Sequence, residues 1–366
     1  MTIEDLALLF TRGIGARGAA ALVDHFGSAE EVFAASKSEL VSSISLREDI
    51  AERIVSGEGL RRAEKEVDYC RKHNIRMLAS TDDDYPESLR QISDRPHVLF
   101  VQGDVEVLSM QSLSVVGTRE ATPAGTHACQ LIIGSLAERV KELSIVSGLA
   151  YGIDSVAHRA ALAAGAKTVA VLPSVLPSVT PAAHRNLADE IIHSGGALVS
   201  ELHSETHQNG SFFISRNRII AALSPGLLVV ESPATGGSLS TADFADSYSC
   251  TVMALPGRIT DTASFGSNNL IRTGKARLVL TADDIIEELG WQRHARVEQG
   301  KEECCEIELS AAEEAVLTAL RESTTVEWDR LIISTGLSLG ELSMTTMDLE
   351  LKGLIRSLPG KRYELA

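Results

Sequence analysis

Glycines, hydroxyl residues and arginines recur just past the apolar runs in the middle of this chain. LSVVG leads into Gly117, Thr118 and Arg119, and SIVSG ends in Ser147 and Gly148. FFISRNRII carries Arg216, Asn217 and Arg218, and ESPATGGSLSTA carries Gly236, Gly237 and Ser238. Glycine lets a backbone approach closely, hydroxyl and amide groups donate to oxygen, and a guanidinium forks onto phosphate. The chemistry these types share is the holding of phosphate. Asn209, Phe212 and Phe213 precede R-N-R, and phenylalanine rings can stack a base, worth about 1–3 kcal/mol each. Taken singly each signal is weak, because an arginine on a helix more often makes an ion pair than a ligand contact.

Reactive chemistry finds less support. No G-x-G-x-x-G follows the first run and no G-x-x-x-x-G-K-[ST] occurs, which disfavours a dinucleotide dehydrogenase or a P-loop ATPase. Asp154 and His158 stand four apart, a spacing that puts them on one helical face as structural partners. No G-x-S-x-G elbow offers them a nucleophile. Cys70, Cys129 and Cys250 stand alone and Cys304-Cys305 are adjacent, which suits neither a zinc knuckle nor a disulfide framework. We expect no catalytic residue, no metal and no cofactor.

The elements that would position these residues form a repeat. LSVVG, SIVSG, TVAVLP, ALVSE, GLLVVES, TVMALPG and ARLVL are short apolar runs, separated by stretches that mostly suit one helix and its turns. That texture predicts βα units and a parallel sheet covered on both faces, a doubly wound Rossmann-like α/β domain over residues 79–291. In such sheets ligands bind outside the carboxyl ends of the strands, so the residues named above should gather along one edge.

At 366 residues the chain is long enough for more than one domain. Residues 1–78 are helical by their apolar spacing, and Gly13 and Gly15 make a tight turn suited to a SAM or helix-hairpin-helix-like unit or to a plain helical bundle. Residues 292–309 are charged and aperiodic, the pattern of a linker. Residues 310–366 read as helix, helix, turn at Thr335-Gly336, helix and a short hairpin through Pro359-Gly360, the order of a winged helix. Its last helix carries Glu341, Asp348 and Glu350 against Lys352 alone, a poor match to a DNA groove and a better one to a protein partner. A formal charge of -16 confines any polyanion site to a local patch. The first residues, MTIEDLALLF, lack the marks of a signal peptide, and no run of about 18 apolar residues occurs, so we expect a cytoplasmic protein with no membrane segment.

Taken in order, VVGTR, IVSGLAYGIDSVAHRAAL, LVSE, FFISRNRIIAALS, LLVVESPATGGSLSTADFA and FGSNNLIRTGKARLV closely resemble the DNA-processing protein A family, also called DprA or Smf, over roughly residues 85–280. The combination of S-G-x-A-x-G-I-D with R-N-R-I-I is the specific part. The resemblance implies a non-enzymatic protein of natural transformation that binds incoming single-stranded DNA as a homodimer and helps load the RecA recombinase. It implies a phosphate at Arg119, close contacts from Ser147 and Gly148, and a contact stretch from Asn209 to Phe213. The chain departs from the family after TVAVL, where Pro173, Pro177 and Pro181 stand in a loop the family keeps glycine-rich; Arg185 is the residue that could compensate. A different reading is a nucleotide-binding or nucleoside-phosphate N-glycosidase-type hydrolase, in which Gly236, Gly237 and Ser238 would cradle the phosphate and Asp243 would stand for a catalytic glutamate. A scaffold acting through its end domains is a third.

Overall fold

The computed structural model describes residues 1–44, 46–292, 310–321, 325–351, 354–358 and 362–365. The expected linker, apart from residue 292, lies outside the described residues, as do Cys304-Cys305, Lys352 and Pro359-Gly360. The chain divides into two compact units, Met1–Ala295 and Arg296–Ala366.

The first unit is built on strands β1 (Arg76–Ala79), β2 (Val98–Gly103), β3 (Gln111–Val116), β4 (Leu143–Ser147), β5 (Lys167–Val171), β6 (Ala197–Ser200), β7 (Gly226–Val229), β8 (Thr251–Ala254) and β9 (Arg277–Leu278). Their order in the sheet is β1-β2-β6-β5-β4-β3-β7-β8-β9. From β6 across to β9 every pairing is parallel, so all seven runs read from the sequence are strands of one doubly wound sheet. The parallel winding starts at β3, runs outward through β4, β5 and β6, then returns to the far side of β3 with β7. That reversal opens a crevice between the β3 and β7 strand ends.

Strands β3, β4, β7 and β8 are buried on both sides and alternate between two cores, while β5 and β6 share the first of these and turn Ala170 and Leu198 to a third. Val146, Val169 and Val229 face helices Phe212–Ala222, Gly237–Ser247 and Phe265–Arg272. Leu113, Ile145 and Leu228 face helices Pro123–Arg139, Ile153–Ala163 and Ala282–Glu288. The sheet is mixed rather than wholly parallel: β2 runs antiparallel to β6 and β1 antiparallel to β2. These two strands are joined by a loop with one short helix, Glu87–Arg90, instead of a βα crossover, so they fall outside the repeat that betrays the others.

Six helices precede β1, from Ile3–Phe10 to Leu60–Lys72. Part of this segment has its own core of Leu22, Val23, Val32, Leu40 and Ile54. Its first and last helices share a core with the sheet, where Leu6, Phe10 and Ala63 meet Phe100 and Leu198. In the second unit, helices Ala311–Arg321, Trp328–Thr335 and Leu339–Leu351 pack around Leu320, Leu331, Leu342 and Leu349. A small sheet of β10 (Val326–Glu327), β12 (Arg362–Leu365) and β11 (Ile355–Leu358) completes a winged helix. Met344 and Met347 stand exposed on the outer face of its last helix, beside Glu341 and Asp348.

A buried polar chain fixes the first helix to the sheet edge. Asp5 Oδ1 lies 3.0 Å from His97 Nε2, His97 Nδ1 lies 3.0 Å from Ser80 Oγ, and the Thr2 amide donates to Asp5 Oδ2 at 2.7 Å. Burial pushes the Asp5 pKa up, yet the His97 and Thr2 hydrogen bonds outweigh it and leave the carboxyl below its ordinary value. A carboxylate more acidic in the folded state adds stability above its unfolded pKa and loses it as pH falls through the folded one. Asp5→Ala should therefore cost about 2–4 kcal/mol in urea unfolding at pH 7, and the gap to wild type should close as pH falls through the carboxylate range. A gap independent of pH would contradict this account.

Candidate nucleic-acid interface

The crevice at the strand reversal has a volume of about 410 Å³. One wall is the β3 loop, Gly117, Thr118, Arg119 and Glu120; the opposite wall is the β7 loop, Pro233, Thr235, Gly236, Gly237 and Ser238. The first turns of the Phe212–Ala222 helix close one side with Phe213, Ile214, Arg216 and Asn217, and Asp154 lies at the base. Nine of the residues singled out by type in the sequence thus meet in one place: Gly117, Thr118, Arg119, Phe213, Arg216, Asn217, Gly236, Gly237 and Ser238.

Buried hydrogen bonds hold the two walls together. The Thr118 amide donates to the Glu231 carbonyl at 2.7 Å, and the Glu231 carboxylate accepts from the Thr122 amide (3.0 Å) and hydroxyl (2.5 Å). Thr122 in turn caps the Pro123–Arg139 helix, its Oγ1 accepting from the Gly125 amide. The Thr-Pro pair at a helix start is a readable cap. Glu231 was not singled out in the sequence; its only signal there is an acid where an apolar strand leaves the core.

Arg119 is exposed and has no carboxylate partner among the described residues. Its guanidinium lies over the Phe213 ring, 5.6 Å from the centroid. Arg216 is buried below. Its Nη1 donates to the Gly148 carbonyl at 2.5 Å and to the Val171 carbonyl, while Nε has no partner among the described residues. Burial lowers the Arg216 pKa to about 10, with Asp154 opposing and the charge of Arg119 adding to the fall, so the group stays protonated at neutral pH. Burial raises the Asp154 carboxyl above its ordinary value, against the pull of Arg216 and the backbone amides of Ala150 and Gly148. Two guanidinium groups that feel each other's charge thus stand in the crevice, Arg216 against the carboxylate of Asp154 and Arg119 exposed beside Glu120. The Gly237–Ser247 helix begins at its rim with no side-chain cap, so its first N–H groups face an incoming oxygen.

The remaining sequence candidates sit elsewhere. Ser147 is fully buried and its hydroxyl donates to the Val115 carbonyl at 2.7 Å, joining β4 to β3 rather than reaching the crevice. Gly148 lies behind Arg216. Arg218 points to the other side of its helix, paired with Glu201, because residues two apart on a helix are turned roughly 200° from each other. Phe212 lines the same far side. Asn209 is exposed and its side chain accepts from the Ser211 amide. Arg185 donates to the Pro177 carbonyl at 2.8 Å and braces the proline loop. His158 turns into the core against Thr168 Oγ1 at 2.6 Å, and burial, with the charges of Arg216 and His184, pulls its pKa down to about 3. Such an imidazole is a poor general base at neutral pH. Asp243 is taken by Lys275 at 3.0 Å on the exposed side of its helix, outside the crevice.

Gly148 has a checkable role. A Cβ there would stand 2.1 Å from Arg216 Nη1, a guanidinium held by two carbonyls with no room to retreat. Gly148→Ala should therefore cost about 1–3 kcal/mol in urea unfolding, whereas Gly236→Ala, whose Cβ would make only ordinary contacts with Ser238 Oγ at 3.8 Å and Pro233 Cγ at 3.9 Å, should cost far less. Equal costs would show that the Arg216 contact does not set the requirement.

Comparison with known proteins agrees with this geometry. The family model described as DNA recombination-mediator protein A matches residues 76–290, and that of the DprA winged helix domain matches residues 306–361. Protein Smf of Escherichia coli (strain K12) is 38% identical over 231 residues, 63% of this chain and 61% of that protein, so the match spans about three-fifths of Smf. DNA processing protein DprA of Streptococcus pneumoniae is 39% identical over 208 residues, 57% of this chain and 72% of that protein. The solved structure of DNA processing protein A from Streptococcus pneumoniae superposes with a TM-score of 0.65 at 29% identity, covering 80% of this chain and 99% of that one. DNA processing protein A from Helicobacter pylori, described by its single-stranded DNA binding mode, superposes with a TM-score of 0.53 at 26% identity, covering 60% of this chain and 97% of that one. With a family model matched across the whole doubly wound sheet and its own winged helix behind it, this chain belongs to the DNA recombination-mediator protein A family.

Proposed function

We propose that this protein binds single-stranded DNA during natural transformation, protects the incoming strand and loads a RecA recombinase onto it, acting as a cytoplasmic homodimer without catalysis of its own. The observation that carries the reading is Arg119: an exposed guanidinium without an acidic partner among the described residues, stacked on Phe213 and backed by the buried charge of Arg216. Guanidinium, glycine amides and an aromatic ring in one crevice suit a phosphate with a base beside it. Family membership and a relative whose structure is described by its single-stranded DNA binding add support. In the chain as a whole, residues 79–291 bind the strand and residues 1–78 form a helical accessory. Residues 292–309 link that part to a winged helix at 310–366 whose acidic, methionine-bearing face suits a protein partner better than a DNA groove. No helix among the described residues is long and apolar enough to cross a membrane.

Titrating wild type and Arg119→Ala with labelled oligo-dT and with duplex of the same length, across a salt series, tests the reading. The expected outcome is tighter binding of the single strand, a loss of about tenfold in Arg119→Ala, and a fall in the log–log salt slope of about 0.7, the share of one neutralised phosphate. Thermal stability should be unchanged, since the side chain is exposed. A salt-independent affinity, or duplex bound as well as single strand, would sink it.

A further inference from the structure

The second arginine of R-N-R opens onto a separate cavity. Arg218 lies with Leu8, Leu9, Ala19, Val98, Leu202 and Phe212 around a cleft of about 440 Å³, where the first helices meet β2 and the loop after β6. The residue is 7% exposed. Its Nη2 is paired with Glu201 and its Nε faces Asp94 at 4.0 Å, while Nη1 is buried without a partner among the described residues. His203, in the same lining, packs on Phe10 with ring centroids 4.4 Å apart and leaves its Nδ1 buried and unpartnered as well. Burial and the charge of Arg62 hold the His203 pKa down, so that ring is neutral.

A buried polar atom without a partner costs free energy, and these two belong to side chains that line one apolar cleft, so a ligand that shifts the groups covering them gains a polar contact. Glu201 and Asp94 already balance the guanidinium, so an added anion would bring excess charge; the fitting ligand is neutral. The walls are apolar and one is the Phe212 ring, which favours a flat molecule. The unpartnered Arg218 N–H, once uncovered, takes an acceptor, a carbonyl oxygen or ring nitrogen. A nucleobase combines these properties. Position agrees: Phe212 and Ser215 line this cleft while Phe213, Arg216 and Asn217 line the crevice, so the two flank opposite faces of one helix at its first turns. We propose that the Arg218 cleft receives a base of the same strand whose phosphate lies at Arg119, an inference that rests on the single-stranded DNA reading above.

The test compares oligo-dT with a strand of equal length made of abasic sites. Ser215→Phe fills the cleft from the helix and Leu9→Phe from the opposite wall; the two lie on different elements, so loss of fold in one leaves the other to decide. Each should weaken oligo-dT binding about tenfold and leave abasic-strand binding unchanged, whereas Arg119→Ala should weaken both strands. Cleft variants that bind oligo-dT like wild type, or that lose both strands equally, overturn the base cleft while leaving the phosphate crevice in place. A wild-type protein that binds neither strand overturns both.

Discussion

A single buried charge organises the floor of the crevice. Arg216 comes from the Phe212–Ala222 helix, yet its guanidinium bonds the carbonyls that end β4 and β5, so one side chain fixes a helix and two strand ends in register. Burying a guanidinium is costly unless its protons are satisfied. The site offsets part of that cost with two carbonyl acceptors at Nη1 and a carboxylate, Asp154, within its field. The absence of a side chain at Gly148 is part of the same arrangement, because the guanidinium occupies the space a Cβ would need. Gly152 is a second case: at φ +73 it turns the chain into the Ile153–Ala163 helix, and a Cβ would meet the Thr118 carbonyl at 2.2 Å.

Across the reversal Glu231 plays the matching part. Its carbonyl takes the Thr118 amide and its carboxylate takes Thr122, so the loop that carries Arg119 is tied to the end of β7 before any ligand arrives. Arg119 is left as an exposed charge on a rigidly held loop. A charge presented by a fixed backbone loses less conformational freedom on binding than one at the tip of a free loop, which is how preorganisation strengthens a small site.

Much of this was legible in the sequence, and the limits have physical causes. Seven apolar runs separated by helix-length stretches are enough to give the doubly wound sheet, and the rule that ligands meet such sheets at strand carboxyl ends places Arg119, Asn217 and Gly236 together. What the letters R-N-R do not display is direction. Arg216 and Arg218 lie two residues apart on a helix and so face nearly opposite ways; only one can reach a given groove, and which one depends on how the helix is rotated against the sheet. Ser147 stays out of the crevice lining for a related reason: a hydroxyl at a strand end can turn inward, and here the Val115 carbonyl takes it. The antiparallel pair β1 and β2 carries no βα signature, and Glu231 acts across space on a residue 109 positions away.

The acidity of the chain bears on which nucleic acid the proposed site could hold. A formal charge of -16 repels a polyanion, but salt screens that repulsion beyond the Debye length, about 8 Å at physiological ionic strength, so it acts only close to the surface. Inside that distance the crevice offers Arg119, Arg216 and a few backbone amides, and each neutralised phosphate contributes only about 0.7 to the salt slope of a single strand. Electrostatics alone therefore makes a weak binder. On the proposed reading the balance comes from contacts that the acidic surface does not oppose, uncharged bases set against Phe213 on one side of a helix and Phe212 on the other. Those contacts require bases free of partners. A duplex hides its bases and brings roughly twice the charge per length to an acidic surface, so a preference for single strands follows from the same charge balance that first argues against nucleic acid.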